Sequence, residues 1–251
     1  MSKHLAFLIV VISLFMVSCF KENIGPQGPA GPLFVGTIRG HVWLYDQYGT
    51  RMDTGLANAQ VTLTNGVLDT VVPTDASGAF TFPNITTGNY TITAHVLTNG
   101  YGDTQLPDFQ YLSGTLNKDV KMSVIPNFWP DSVTAIQSAA TPNDSLVIYF
   151  TADTHARSYI IFINSSATIN GTVTGYLLSY VKNLPANQTK ATVLIPASDL
   201  HDVGINTGAT AYYAVYGYPV ANASPYEDIS TGKNIYTALS PVAVYANAVA
   251  P

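Results

Sequence analysis

Apolar and polar residues alternate along several short stretches of this chain, with the two-residue period of a β-strand. In the first stretch Ile38, Val42 and Leu44 fall on one face, while Arg39 and Trp43 fall on the other. The same alternation returns at Val61 and Leu63, at Phe80 and Phe82, at Tyr90, Ile92, Ala94 and Val96, and at Leu116, Val120 and Met122. Short strands at regular spacing, with no helical period between them, predict an all-β fold built from antiparallel β-sandwiches.

Turn-forming residues separate these stretches, among them Asn65-Gly66 and Thr87-Gly88. A longer turn is predicted between Asp75 and Gly78. There the aspartate can close an Asx turn and the glycine can take a positive φ, so that the chain reverses direction before Phe80. The turns therefore support the assignment of separate, hydrogen-bonded strands.

Four segments in this half follow the order of a known domain family. They read GTIRGHV at 36–42, LANAQVTL at 56–63, TDASGAFTFPNI at 74–85 and GNYTI at 88–92. Through these segments, residues 36–123 resemble the carboxypeptidase regulatory-like, or transthyretin-like, domain. Leu56 and Asn58 depart from the family, which often has Pro and Gly at these positions. The resemblance implies a β-sandwich over residues 34–123 that serves as a non-catalytic accessory module.

A second series of strands follows Pro126 and Pro130, which mark the boundary between the two halves. The continuous apolar run at 159–163 is typical of a central strand that is covered on both faces. Tyr213 and Val215 resemble the tyrosine-bearing penultimate strand of immunoglobulin-like and fibronectin type III-like domains. Residues 124–251 are therefore predicted to form a second antiparallel sandwich of that type. Other strands of this half are predicted near residues 146–150, 191–195, 210–218 and 242–245.

The N-terminus has the order of a secretory signal, with Lys3 before the apolar run from Leu5 to Val17. This run of 13 residues falls short of the about 20 that a membrane-spanning helix needs. Its end, Met16-Val17-Ser18-Cys19, resembles the lipobox of bacterial lipoproteins. The resemblance implies that residues 1–18 are a cleaved signal peptide and that Cys19 carries lipid, which anchors the chain to a membrane. The alternative is a buried thiol in an uncleaved apolar helix.

Residues 19–33 join this anchor to the first sandwich, and three Gly-X-Y triplets in register fill positions 25–33. Three triplets are too few for a collagen triple helix, so the segment is predicted to be a stiff spacer. Lys21 and Glu22 resemble the surface-export signals of Bacteroidetes lipoproteins, although a short solvated spacer explains them equally well. The predicted location is the outer membrane or the cell surface.

Charge and cysteine content exclude several classes of protein. Charged residues make up 10% of the chain, against about 25% in typical soluble domains. Removal of residues 1–18 takes away Lys3 and no acid, which leaves 9 basic and 15 acidic residues, a balance of −6. This sign repels phosphate backbones, so nucleic acid is not an expected partner. Cys19 is the only cysteine, which excludes an internal disulfide and a cysteine-based zinc site.

Motifs that carry chemistry are not found in the sequence. No serine lies in a GxSxG motif, and no pair of histidines has the spacing of metal ligands. His41 and His95 each stand singly on the polar face of a strand. Asp153 and His155 could seed a metal site or an acid–base pair, but a loop is the simpler interpretation. The same interpretation applies to Asp199, His201 and Asp202. The sequence thus predicts a protein that is not an enzyme and that holds no metal or cofactor.

Aromatic residues give the most specific binding hypothesis. Tyr212, Tyr216 and Tyr218 fall on one face of a predicted strand, and Trp43 and Tyr45 fall on the polar face of another. A row of rings on a flat sheet can stack against sugars. The competing interpretation is that these rings cover a contact between the two sandwiches or lie at the edge of a core, because aromatic residues favour strands in any case.

Three short motifs resemble the O-glycosylation acceptors of exported Bacteroidetes proteins. They are Asp69-Thr70-Val71, Asp131-Ser132-Val133 and Asp144-Ser145-Leu146. The resemblance implies modification at Thr70, Ser132 and Ser145.

Taken together, the patterns favour a non-catalytic, lipid-anchored surface protein whose β-sandwiches bind a glycan or a protein. One alternative is a structural spacer or subunit of an envelope complex. A second alternative is a hydrolase of glycans or esters whose site carries no known motif. The membrane, through the lipid anchor, is the one partner that the sequence itself indicates.

Overall fold

The computed structural model describes residues 34–52, 59–97, 100–137, 143–220, 226–228 and 230–251. The signal segment, Cys19 and the Gly-Pro spacer lie outside the described residues, as do Leu56 and Asn58. Nearly all ordered elements are strands, most of them paired antiparallel, which confirms the predicted all-β fold.

The strands follow one another along the chain with short connections. They are β1 Val35–Tyr45, β2 Arg51–Met52, β3 Ala59–Thr64, β4 Asp69–Pro73, β5 Ala79–Thr86, β6 Gly88–Val96, β7 Thr104–Tyr111, β8 Thr115–Asn117, β9 Val120–Ser123, β10 Ser132–Gln137, β11 Asn143–Tyr149, β12 Arg157–Asn164, β13 Leu178–Leu184, β14 Lys190–Pro196, β15 Thr210–Tyr218, β16 Tyr226–Asp228, β17 Lys233–Ile235 and β18 Ala243–Val249. One helix, α1 Ala197–Asp202, follows β14.

The first sandwich, β1–β9, is built around the long strand β1. This strand pairs antiparallel with β2 and β5 and parallel with β8 and β9. The facing sheet has the strand order β4-β3-β6-β7. Ile38, Val42 and Leu44 are fully buried between the sheets, packed against Phe82 and Ile92. The predicted inner face of β1 is therefore confirmed.

The turn that precedes β5 forms as predicted. The Asp75 Oδ1 atom accepts hydrogen bonds from the backbone N–H groups of Ser77 and Ala79, at 2.8 and 2.9 Å. Gly78 has a φ of 83°, a conformation that glycine adopts without strain. Hydrogen bonds from the Ser77 hydroxyl and from these N–H groups lower the pKa of the Asp75 carboxyl.

The second sandwich, β10–β18, packs the sheet β10-β11-β14 against the sheet β13-β12-β15-β18. Every residue of β12 is buried, because its two faces belong to two different apolar clusters. Ile161 and Ile163 face the core between the sheets, whereas Ile160 and Phe162 lie under a separate cover on the outer face. The prediction of a central strand covered on both sides is confirmed.

Two predictions for this half are wrong in detail. Residues 197–202 form the helix α1, so Asp199, His201 and Asp202 lie on a helix rather than in a loop. The fully buried Leu200 packs this short helix against the core. With six residues, the helix is too short to show a helical period in the sequence. The last strand begins at Ala243 and continues to Val249, past the predicted end at residue 245.

A buried polar pair joins the two sheets of the second sandwich. The Tyr213 hydroxyl on β15 donates a hydrogen bond to Asp144 Oδ2 on β11, and both residues are fully buried. Burial raises the pKa of the Asp144 carboxyl, and burial together with the neighbouring carboxylate raises the pKa of Tyr213. Asp144 Oδ1 has no hydrogen-bond partner within the described part of the chain.

The two sandwiches contact each other along several segments. The Tyr48 hydroxyl, in the turn after β1, donates to Asp153 Oδ2 at 3.2 Å, and the Tyr48 ring stacks on His155 at 4.2 Å. A Cβ atom added to Gly102 would lie 2.6 Å from the Cβ of Ala238, so the two segments are in direct contact there. Residues 34–251 form one compact unit. The division into separate domains at residues 123 and 124 stays a prediction.

Candidate functional site

A groove of about 470 Å³ lies on the outer face of β1, between β5 and the segment 115–119. It is lined by five hydrogen-bonding side chains: Arg39, His41, Thr81, Asn117 and Asp119. We call it the β1 groove. Arg39 and His41 occupy alternate positions of β1, which turns both of them away from the core. Strand pairing brings the other three side chains beside them.

The register of three strands places the groove residues in two rows. Thr81 on β5 and Asn117 on β8 are the direct neighbours of Arg39 on either side. In the next row, Ala79 is the β5 neighbour of His41, and its small side chain leaves the space that forms the groove. This arrangement depends on parallel pairing between strands that lie far apart in the sequence.

Hydrogen bonds fix the polar groups of the β1 groove. Arg39 Nε donates to Asn117 Oδ1 at 2.9 Å. Asp119 Oδ1 accepts from the His41 backbone N–H at 2.9 Å, and Asp119 Oδ2 accepts from Trp43 Nε1 at 3.1 Å. The site is thus held in place before any ligand binds, which reduces the entropy lost on binding.

Gly40 allows the backbone at Lys118 to approach β1 closely. A Cβ atom at this position would lie 1.8 Å from the carbonyl oxygen of Lys118, closer than any real contact. Only glycine lets the backbone at Lys118 run directly against β1, and the Lys118 N–H donates to the Arg39 carbonyl at 2.8 Å. The glycine therefore positions Asn117 and Asp119, the residues on either side of Lys118.

The predicted ring row on β1 is arranged differently from an open stacking surface. The Trp43 ring stacks on His41, with centroids 4.9 Å apart, and the Arg51 guanidinium lies 3.8 Å from its centroid. Trp43 therefore supports the side chains of the groove, and Tyr45 lies half-buried farther along the strand. A role of Trp43 and Tyr45 in ligand binding stays a prediction.

The second predicted row of rings, on β15, is mostly buried beneath other aromatic side chains. Tyr218 is buried, and Tyr212 and Tyr216 are half-buried. Burial raises the pKa of Tyr216 and of Tyr218. The cover comes from Tyr176 and Tyr236, which pack against Phe162 at ring distances of 5.1 and 5.3 Å.

Of the two interpretations of the β15 row, the packing favours a second core on this sheet. No pattern in the sequence indicates this second core, because Tyr176 and Tyr236 come from two distant connections. A part for Tyr212, Tyr216 and Tyr218 in ligand binding stays a prediction.

The isolated acidic and histidine residues have structural partners. Asp153 and His155 lie in a loop, as predicted, where Asp153 Oδ1 accepts from the His155 N–H at 2.9 Å. This hydrogen bond is the largest cause that lowers the pKa of Asp153. Asp199 accepts a hydrogen bond from the Tyr180 hydroxyl. Within the described ranges, no three His, Cys, Asp or Glu side chains gather as metal ligands.

The two histidines predicted to stand singly each have an aspartate beside them. His41 Nδ1 lies 3.7 Å from Asp119 Oδ1, and His95 Nδ1 lies 2.6 Å from Asp103 Oδ1. Both histidines remain substantially exposed, as expected for polar positions on strands. Their partners come from neighbouring strands and connections, which the sequence does not place.

The predicted modification sites differ in exposure. Ser132 is exposed and Ser145 half-exposed, and both lie on the outer face of the sheet β10-β11-β14. Thr70 is half-buried on β4. The aspartate of the third motif, Asp144, has a structural role, because it accepts a hydrogen bond from the Tyr213 hydroxyl. Glycosylation at the three positions stays a prediction.

Among the described residues, no helix is both long and apolar enough to span a membrane. No family model and no curated protein matches the chain.

Several solved structures are distantly similar. A candidate carbohydrate-binding protein from Bacteroides uniformis is 15% identical, over 83% of this chain and 97% of that chain, with a TM-score of 0.31. A DUF3823 family protein from Bacteroides ovatus is 13% identical, over 85% and 98%, with a TM-score of 0.28. The FN1-FN3 domains of chicken CNTN1 are 9% identical, over 77% and 65%, with a TM-score of 0.28. At these TM-scores no site can be transferred, so function has to be argued from the residues of this chain.

Proposed function

We propose that this chain is a non-catalytic, lipid-anchored protein of the bacterial outer membrane or cell surface that binds a glycan in the β1 groove. The observation that carries the proposal is the set of fixed polar groups that line this groove. Arg39 and Asn117 offer N–H donors, Asp119 offers carboxylate acceptors, and Thr81 offers a hydroxyl that does both. Sugar hydroxyls donate and accept at once, so they match such a mixed lining.

The charges of the groove favour a polyhydroxylated ligand over a strongly charged one. Arg39 and Asp119 contribute opposite charges to the same small space. An anionic polymer would be attracted by the first and repelled by the second, and the whole chain carries a net charge of −5.

Glycan binding can be tested with residues 20–251, purified without lipid and applied to a glycan array. The Arg39→Met variant removes the guanidinium donors from the groove and keeps most of the side-chain volume. A lost hydrogen bond to a charged group weakens binding by about 1.5–3 kcal/mol, so we expect a loss of about 10- to 100-fold in affinity.

The matched control is Lys182→Met, which removes an exposed cation from the second sandwich. Its affinity for the same glycan should equal that of the wild type. Equal binding by wild type and Arg39→Met, or the failure of every glycan on the array to bind, would contradict the proposal.

The assignment of Cys19 as the lipidated residue can be tested separately. In cells that express the full chain, Cys19→Ser should remove the acylation site and move the protein from the membrane fraction to the soluble fraction. Fractionation followed by mass spectrometry of the N-terminal peptide checks this, with Ser18→Ala as a control that retains the thiol. Wild-type protein that still begins at Met1 would contradict the assignment of Cys19.

A second function, as a subunit of an envelope complex, is favoured by one observation. The outer face of the sheet β10-β11-β14 carries apolar side chains that are well exposed: Ile136 is 49%, Tyr149 43% and Leu194 60% exposed. Apolar surface of this kind can mark a contact with another protein. Crosslinking in the native membrane would favour this function if one protein partner is captured in constant ratio.

A further inference from the structure

A second, smaller cavity lies on the outer face of the sheet β13-β12-β15-β18, near its β18 edge. It has a volume of about 220 Å³ and is lined by Tyr212, Tyr245 and Asn247 together with Ala167 and Ile169. We call it the tyrosine slot. None of the residues that line it is charged. It lies in the second sandwich, whereas the β1 groove lies in the first.

Strand register explains why a slot forms at this place. Tyr212 on β15 is paired with Asn247 on β18, and Ala214 is paired with Tyr245. The neighbouring pair in this register, Tyr213 and Ala246, also lines the slot. Residues Ala167 and Ile169, from the connection after β12, form the opposite wall. The slot is therefore the gap that remains between the cover of this sheet and its edge strand.

Tyr245 is accessible and lies beside a second tyrosine. It is 59% exposed, although it belongs to a strand in the sheet. Its phenol lies close enough to Tyr216 to raise the pKa of that residue, after the larger effect of burial. Strand pairing fixes the Tyr245 backbone, so a ligand that stacks on the ring orders only the side chain.

We propose that the tyrosine slot binds one neutral sugar ring in its pyranose form. The volume lies below the about 300 Å³ at which pockets for drug-sized ligands begin, so a single ring fits. The Tyr245 ring face matches the C–H face of a pyranose, and the Asn247 amide and the Tyr212 hydroxyl match its hydroxyl groups. The uncharged lining offers no partner for the charge of an acidic or amino sugar.

The proposal can be tested with methyl α-glucopyranoside, methyl α-mannopyranoside and methyl β-galactopyranoside, measured by saturation-transfer NMR and titration. Residues 20–251 are used as wild type and as the variants Tyr245→Ala, Tyr245→Phe and Tyr149→Ala. We expect at least one of the three probes to bind to the wild type at millimolar concentration. Tyr245→Ala should weaken that binding by about tenfold, because a stacked ring is lost.

The other variants separate stacking from general effects. Tyr245→Phe keeps the ring and should bind within about threefold of the wild type. Tyr149→Ala removes an exposed tyrosine from the other sheet and should leave binding unchanged. The proposal is overturned if none of the probes binds, if Tyr245→Ala binds as the wild type does, or if p-cresol binds in the slot and the sugars do not. The β1 groove is tested independently by Arg39→Met, so either site can fail while the other stands.

Discussion

Replacement of Tyr213 by phenylalanine should lower the free energy of unfolding by about 3 kcal/mol at neutral pH. The Tyr213 hydroxyl donates a hydrogen bond to Oδ2 of the buried Asp144 side chain, and Oδ1 has no partner among the described residues. Without the Tyr213 hydroxyl, both carboxylate oxygens would be buried and unpaired. Urea denaturation of residues 20–251 measures the change.

The control is Tyr149→Phe, which removes a hydroxyl from a residue that is 43% exposed. Its free energy of unfolding should stay within about 0.5 kcal/mol of the wild type. A Tyr213→Phe protein as stable as this control would show that the pair contributes nothing to the sandwich.

The raised pKa of Asp144 also sets a pH dependence. The folded state binds this proton more tightly than the unfolded state, so the contribution of Asp144 to stability is fully present below its unfolded pKa. That contribution is lost as the pH rises through the raised pKa of the folded state. In Asp144→Asn this titration is absent, so the variant should gain stability relative to the wild type as the pH rises above the ordinary aspartate pKa of about 4. Parallel stability curves for the two proteins would contradict the assignment.

Replacement of Gly102 by valine should separate the two sandwiches. An added Cβ would lie 2.6 Å from the Ala238 Cβ and 2.8 Å from the Ala238 backbone nitrogen, so no side-chain rotation can make room. Overpacking of this kind costs about 1–3 kcal/mol. We expect the wild type to melt in one calorimetric transition and Gly102→Val to melt in two, because the contact no longer couples the sandwiches.

Ser113→Val adds the same side chain at an exposed turn of the first sandwich and serves as the control. It should melt in a single transition at the temperature of the wild type. One unchanged transition in Gly102→Val would show that the contact at Ala238 does not hold the sandwiches together.

Much of the fold could be predicted because strand period and turn chemistry are local properties. The buried face of β1 follows from alternation alone, and the reversal before Phe80 follows from Asp75 and Gly78. The helix α1 was missed because its six residues are too few to display a period, and its position depends on Leu200 packing into a core formed by distant strands.

The candidate site could be predicted only in part, because strand register decides which side chains meet. The outward direction of Arg39 and His41 was visible in the sequence. Their neighbour Asp119 lies 78 positions after His41, and the parallel pairing that brings it there leaves no local pattern. The covered state of the β15 tyrosines likewise depends on Tyr236, from a connection that the alternation does not describe.

A crystal structure of residues 20–251 with the glycan that binds most tightly on the array is the most direct measurement of where the ligand lies. We expect density for a sugar in the β1 groove, with its hydroxyls within hydrogen-bonding distance of Arg39, Asn117 and Asp119. An empty β1 groove in crystals where the same glycan occupies another surface would contradict the assignment of this groove as the binding site.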